Sequence, residues 1–182
     1  MKITLLGLNH ELQWRDPEGQ LRQIVADRIN SSGVDLIAEE AAGLPTTVAQ
    51  RLACKLDKPW IDIDMSKAER KLAGIHEALL ARQSVPIDPY ENIGSRCMYL
   101  PQEDGVREEE WLSRILMRRA DQVLCLCGFM HVDLFGKRLG EKGCSVERLN
   151  ITDLPWFQKL YGKYSMVEEH GQRWCEVRRQ SS

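Results

Sequence analysis

Gln122-Val-Leu-Cys-Leu-Cys127, running straight into Gly128-Phe-Met-His131, is the stretch on which the fold turns. The run is almost wholly apolar and too short for a buried helix, so it reads as a strand covered on both faces, as in a parallel sheet. Gly128 permits a tight turn at the strand exit. Val132 to Lys142 then carry Leu134, Phe135 and Leu139 at helical spacing, closed by Gly143.

The same alternation extends outward on both sides. Ile3 to Leu8, Val34 to Ala38, Trp60 to Asp64 and Cys144 to Leu149 read as further strands. Between them lie helical patterns. Asp16-Pro17-Glu18 opens the first, with Leu21, Ile24, Val25 and Ile29 as its stripe, and Pro45 opens the second. Ser66 and Glu69 form a capping box for a third, carrying Leu72, Ile75, Leu79 and Leu80. A fourth helix starts near Val106, and a short one starts at Pro155. Strands alternating with helices predict an α/β fold: a doubly wound, mainly parallel five-stranded sheet with helices on both faces. The chain of 182 residues reads as a single domain over 1–182, with 83–105 an irregular loop rich in Pro and Gly and 170–182 a frayed tail.

Composition narrows the function classes. Apolar residues make up 43% and charged residues 29%, which excludes a disordered chain or a disulfide scaffold. Lys plus Arg number 25 against 27 Asp plus Glu, a net charge of −2, so nothing advertises a nucleic-acid or membrane-surface partner. The apolar run after Met1-Lys2 is too short for a signal core or a membrane span. The six cysteines show no CxxC and no framework spacing. A reduced, cytoplasmic protein with a small-molecule or peptide ligand is the expectation.

Ligands of such sheets bind beyond the carboxyl ends of the strands. Gly7-Leu-Asn-His10 follows the first strand, Glu39-Glu40 the second, Asp62 and Asp64 the third, and Gly128-Phe-Met-His131 the fourth. Two imidazoles and several carboxylates therefore converge on one edge. Either Gly-x-x-His unit alone is an ordinary turn; two at equivalent positions facing Glu39-Glu40 make a site. Adjacent residues in a strand point to opposite faces, so only one of the two glutamates enters it, and Glu39, which extends the apolar strand, is the expected one. His131, at a helix N-terminus, suits a neutral imidazole that acts as base or ligand. His76 and His170 read as structural or solvated, and Glu108 to Glu110 as a solvated first turn. Arg107 stands four residues before Trp111 on one helix face and offers a guanidinium to a carboxylate, phosphate or oxyanion.

Two Gly-x-x-His motifs at strand exits, with a strand-end glutamate and an arginine between them, resemble the erythromycin-esterase/ChaN-like superfamily, which includes the TraB and Tiki proteins. The resemblance spans residues 1 to about 149 as a pattern of motifs. Segments Arg70 to Ile75, Arg107-Glu-x-x-Trp111 and Cys127-Gly-x-x-His131-Val also look like those of short bacterial proteins. The resemblance implies a pocket lined by His10, Glu39 or Glu40, Arg107 and His131. Its branches differ in activity: metal-dependent peptidases, metal-free hydrolases with a histidine base, and a haem binder. The leading expectation is a hydrolase of an ester or amide in a small molecule or peptide. In its metal-dependent version His10, His131 and Glu39 or Glu40, with Glu39 the expected one, hold one divalent ion, Zn, Mn or Co, which activates water while the other glutamate acts as base. In its metal-free version a histidine deprotonates water and Arg107 stabilises the oxyanion. The alternatives are a binding module for a haem-like or other anionic ligand, and an interaction protein with a decayed site.

Overall fold

The computed structural model describes residues 1–82 and 93–178. In chain order the strands are β1 (Lys2–Leu8), β2 (Leu36–Glu39), β3 (Trp60–Asp62), β4 (Ile93–Tyr99), β5 (Gln122–Gly128), β6 (Ser145–Asn150), β7 (Lys163–Glu169) and β8 (Gln172–Arg178). The helices are α1 (His10–Trp14), α2 (Gln20–Ser32), α3 (Val48–Lys55), α4 (Lys67–Leu72), α5 (His76–Arg82), α6 (Pro101–Met117), α7 (Val132–Glu141) and α8 (Pro155–Tyr161).

The α/β expectation holds. Five parallel strands in the order β3-β2-β5-β1-β6 form the central sheet, with β5 in the middle. Strand alternation sorts the core into two layers. Leu6, Leu8, Ile37, Leu124 and Leu126 face α2, α3 and α8. Ile3, Leu5, Leu36, Ala38, Val123, Cys125 and Cys127 face α6 and α7. Cys125 and Cys127 thus pack as small hydrophobes, and burial raises the proton affinity of both thiols. Among the described residues, no helix is long and apolar enough to cross a membrane.

Several boundaries differ from expectation for identifiable reasons. A short helix, α1, precedes the expected first one; Asn9 caps it by accepting from Leu12 N–H at 2.9 Å. Asp16 still anchors α2, accepting from the Leu21 and Arg22 N–H groups at 3.2 and 2.9 Å. The capping box at Ser66 and Glu69 is present, but the expected long third helix breaks at Gly74, which takes a φ of +71°. That break leaves Leu72 exposed while Ile75 and Leu79 are buried. Helix α6 begins at Pro101, five residues before the expected Val106, because proline suits the first helical position.

The larger correction is a second sheet. Residues 93–99 of the expected 83–105 loop form strand β4, while 83–92 lie outside the described residues. The expected frayed tail at 170–182 contains β8, and 179–182 lie outside the described residues. Strands β4, β8 and β7 make an antiparallel sheet in that order. His170 and Gly171 both take positive φ, 51° and 74°, the requirement of a two-residue hairpin turn.

Candidate functional site

Strands β1 and β5 are neighbours in parallel register, Gly7 opposite Cys127 and Leu8 opposite Gly128. The two Gly-x-x-His units therefore leave the sheet side by side. The first turns into α1 and places His10 at its start; the second makes one 3₁₀ turn, Phe129–His131, before α7. Glycine at Gly128 leaves room at the site, because the backbone there is its floor. A Cβ there would lie 3.3 Å from Glu40 Oε2 and 3.4 Å from His10 Nε2. Gly128 has φ −57°, so alanine is tolerated by the backbone. Gly128→Ala is expected to preserve thermal stability within about 1 kcal/mol while crowding the reacting groups, and paired melting and activity measurements read the two effects apart.

Glu40, not Glu39, is the glutamate of this cleft, which corrects the sequence expectation. Positions 36, 38 and 40 point to the α6/α7 face, whereas 37 and 39 point to the α2/α3 face. Glu40 Oε1 lies 3.6 Å from His10 Nε2, 4.0 Å from His131 Nε2 and 2.5 Å from Arg107 Nη2. Glu40 Oε2 accepts from the Gly128 N–H at 2.7 Å. Burial opposes the charged form, but His10, Arg107, His131 and that N–H outweigh it and hold Glu40 well below the ordinary carboxylate range.

Glu39 is equally buried on the other side of the strand. It accepts from Gln13 at 3.1 Å, from Thr47 Oγ1 at 2.6 Å and from Trp60 Nε1 at 2.9 Å. Burial raises its proton affinity, and those three hydrogen bonds offset the effect only in part. A carboxyl whose folded value is raised favours folding while protonated and loses stability as pH climbs from its ordinary value toward the folded one. The stability of Glu39→Gln relative to the parent is therefore expected to improve as pH rises above the ordinary carboxylate range, as read by denaturant unfolding. An unchanging difference would contradict this placement.

The imidazoles are oriented by their other nitrogen. The Gln13 amide donates to Glu39 Oε1 and to the Glu40 carbonyl, so its oxygen is the acceptor for His10 Nδ1–H at 2.7 Å. In the neutral ring this leaves the lone pair on His10 Nε2, 3.6 Å from Glu40, on a side chain that is 51% exposed. His131 is buried and gives Nδ1–H to Glu108 at 2.9 Å. Glu108 also receives Tyr99 O–H at 3.0 Å and Arg138 Nε–H at 2.9 Å. Far from being a solvated first-turn residue, Glu108 is wholly buried. The second sheet braces both histidines: Tyr99 of β4 through Glu108, and Tyr164 of β7 through a 3.2 Å bond from Asn9.

Arg107 lines the cleft but has little left to give. Its three nitrogens go to Glu40, to Asp64 Oδ1 at 3.0 and 3.2 Å, and to Asp104 at 3.2 Å. Only 4% of it is exposed. Asp64 lies just past the end of β3, where it also receives Trp111 Nε1 and Arg70. Asp62 instead accepts from the Ala41 and Asp64 N–H groups and stays outside the cluster. Compared with protein-family models, curated proteins and solved structures, the chain finds no match.

The expected metal set is not assembled. Glu39 lies across the strand from both histidines, and among the described residues no three His, Cys, Asp or Glu side chains are arranged to hold an ion. Glu40 is the carboxylate near both Nε2 atoms, but its oxygens are engaged by a guanidinium and a backbone N–H, a poor setting for a dication. Gln13, Glu108, Asp104 and Arg70 were not among the expected site residues. Spacing held a signal for two of them: Gln13 lies three positions after His10, and Glu108 three before Trp111 on a buried helix face.

Proposed function

We propose that the chain is a hydrolase of ester or amide bonds in small molecules, with His10 as the base and no metal in the step. The observation that carries this reading is the Gln13 contact, which holds a proton on His10 Nδ1 and so makes Nε2, at the cleft, the nitrogen that accepts a proton in the neutral ring. A water at Nε2 gives up its proton as its oxygen attacks the substrate carbonyl. Glu40, at 3.6 Å, balances the imidazolium that forms. The His10 imidazolium then returns that proton from Nε2 to the leaving oxygen or nitrogen as the bond to carbon breaks, and His131, with Glu108 at one nitrogen and Glu40 facing the other, lines the cleft beside it.

The test is hydrolysis of a panel of p-nitrophenyl esters and anilides by protein treated exhaustively with a chelator. Turnover that persists after chelation and disappears in His10→Asn is the expected result. Turnover that vanishes with chelation and returns with Zn, Mn or Co would transfer the reading to the metal-dependent version. No turnover, with a ligand still bound, would transfer it to a binding module.

A further inference from the structure

The cleft is a cavity of about 330 Å³, and α4 and α5 build one of its walls. That wall contributes Arg70, His76, Leu79 and Leu80. Arg70 differs from Arg107 in the one respect that matters for a ligand. Its Nη2 is paired with Asp64, but among the described residues neither Nη1 nor Nε has a hydrogen-bond partner. Its side chain keeps 23% exposure at the cavity, whereas Arg107 is closed in by three carboxylates.

Charge does not bar an anion from this wall. Glu40 and Asp64 are balanced by Arg107 and Arg70. The further carboxylate, Asp104, accepts the Leu100 N–H at 2.8 Å in the first turn of α6, where the helix dipole offsets it. The N–H group with room to take a ligand is therefore Nη1 of Arg70, since Nε is sealed off, and Leu79 and Leu80 supply the aliphatic part of the same cavity. The His76 ring also shows no hydrogen bond among the described residues, although the residue is 8% exposed.

Resting on the hydrolase reading of the same cleft, we infer that Arg70 selects substrates whose acyl part ends in a carboxylate. The class is a short aliphatic half-ester or half-amide, its carboxylate on Arg70, its methylenes along Leu79 and its scissile carbonyl at His10. A charge-assisted hydrogen bond of this kind discriminates against the uncharged analogue by about tenfold or more.

Binding to the His10→Asn variant tests this without turnover, by calorimetric titration with monomethyl glutarate and with methyl butyrate. The half-ester is expected to bind about tenfold tighter than the neutral ester. Arg70→Gln is expected to erase the difference, and Arg70→Lys, which retains the pairing with Asp64, to keep part of it. Equal affinities, including no measurable binding of either, or a preference that survives in a folded Arg70→Gln, would overturn the inference. Hydrolysis by the parent chain is scored separately. Arg70-dependent preference without turnover leaves the carboxylate subsite standing and sinks the hydrolase, whereas turnover with no preference does the reverse.

Discussion

Glu40→Gln is expected to lower the stability of the fold by about 3–5 kcal/mol near pH 7 and to abolish turnover, because it strips a buried guanidinium of its nearest carboxylate. Arg107 would then face Asp64 and Asp104 alone, with the new amide presenting an N–H or a neutral oxygen where a charge stood. The pH dependence has a definite sign. The folded value of Glu40 lies below its ordinary 4.5. A carboxylate lowered in this way stabilises the fold fully above the ordinary value and progressively less as pH falls toward the folded one. The gap between parent and variant should thus be widest at neutral pH and narrow in acid, as measured by denaturant unfolding across that range. A gap that widened in acid would contradict the ion pairing. Arg107→Lys belongs to the same experiment. A single ammonium cannot bridge Glu40, Asp64 and Asp104, so this variant is expected to lose stability as well as function.

His10→Asn carries the second large effect and has the opposite profile. His10 is half exposed, and the substitution chiefly removes its hydrogen bond to Gln13, so stability should change by about 1 kcal/mol or less. Removal of the base is expected to reduce kcat by a factor of about 10² to 10⁴. The two variants together separate a residue that holds the cleft from one that acts in it. A His10→Asn protein with undiminished kcat would end the base assignment.

The sheet was legible because Gln122 to Cys127 and Ile3 to Leu8 are apolar runs with glycine-histidine exits, and a doubly wound topology then brings those exits together. The choice between Glu39 and Glu40 was not legible from composition. It depends on which face Ile37 and Ala38 present, and both are apolar, so each face looked equally suitable for burial. The second sheet was hidden for another reason. Its strand β4 pairs with β8 from across the chain, and Cys97 opposite Cys175 leaves no local trace. The β7–β8 hairpin did leave one, a Gly171 turn between two runs holding Tyr164, Met166, Cys175 and Val177. Glu108 was misread because acidic residues in a first turn are commonly solvated; with α6 beginning at Pro101, the residue falls beyond the first turn, against His131.

The side-by-side exit of the two histidines has a consequence for how the protein comes into being. His10 and His131 are separated by about 120 residues of chain, yet they meet only through the pairing of β1 with β5. One brace comes from still farther along, since Tyr164 pairs with Asn9. During synthesis the first histidine must wait until most of these residues have emerged before it meets the second, and every loop closed in between adds to the entropy of that encounter. Competence is thus a property of the finished chain, arriving with its longest-range contacts, and no early folding segment carries a fraction of it.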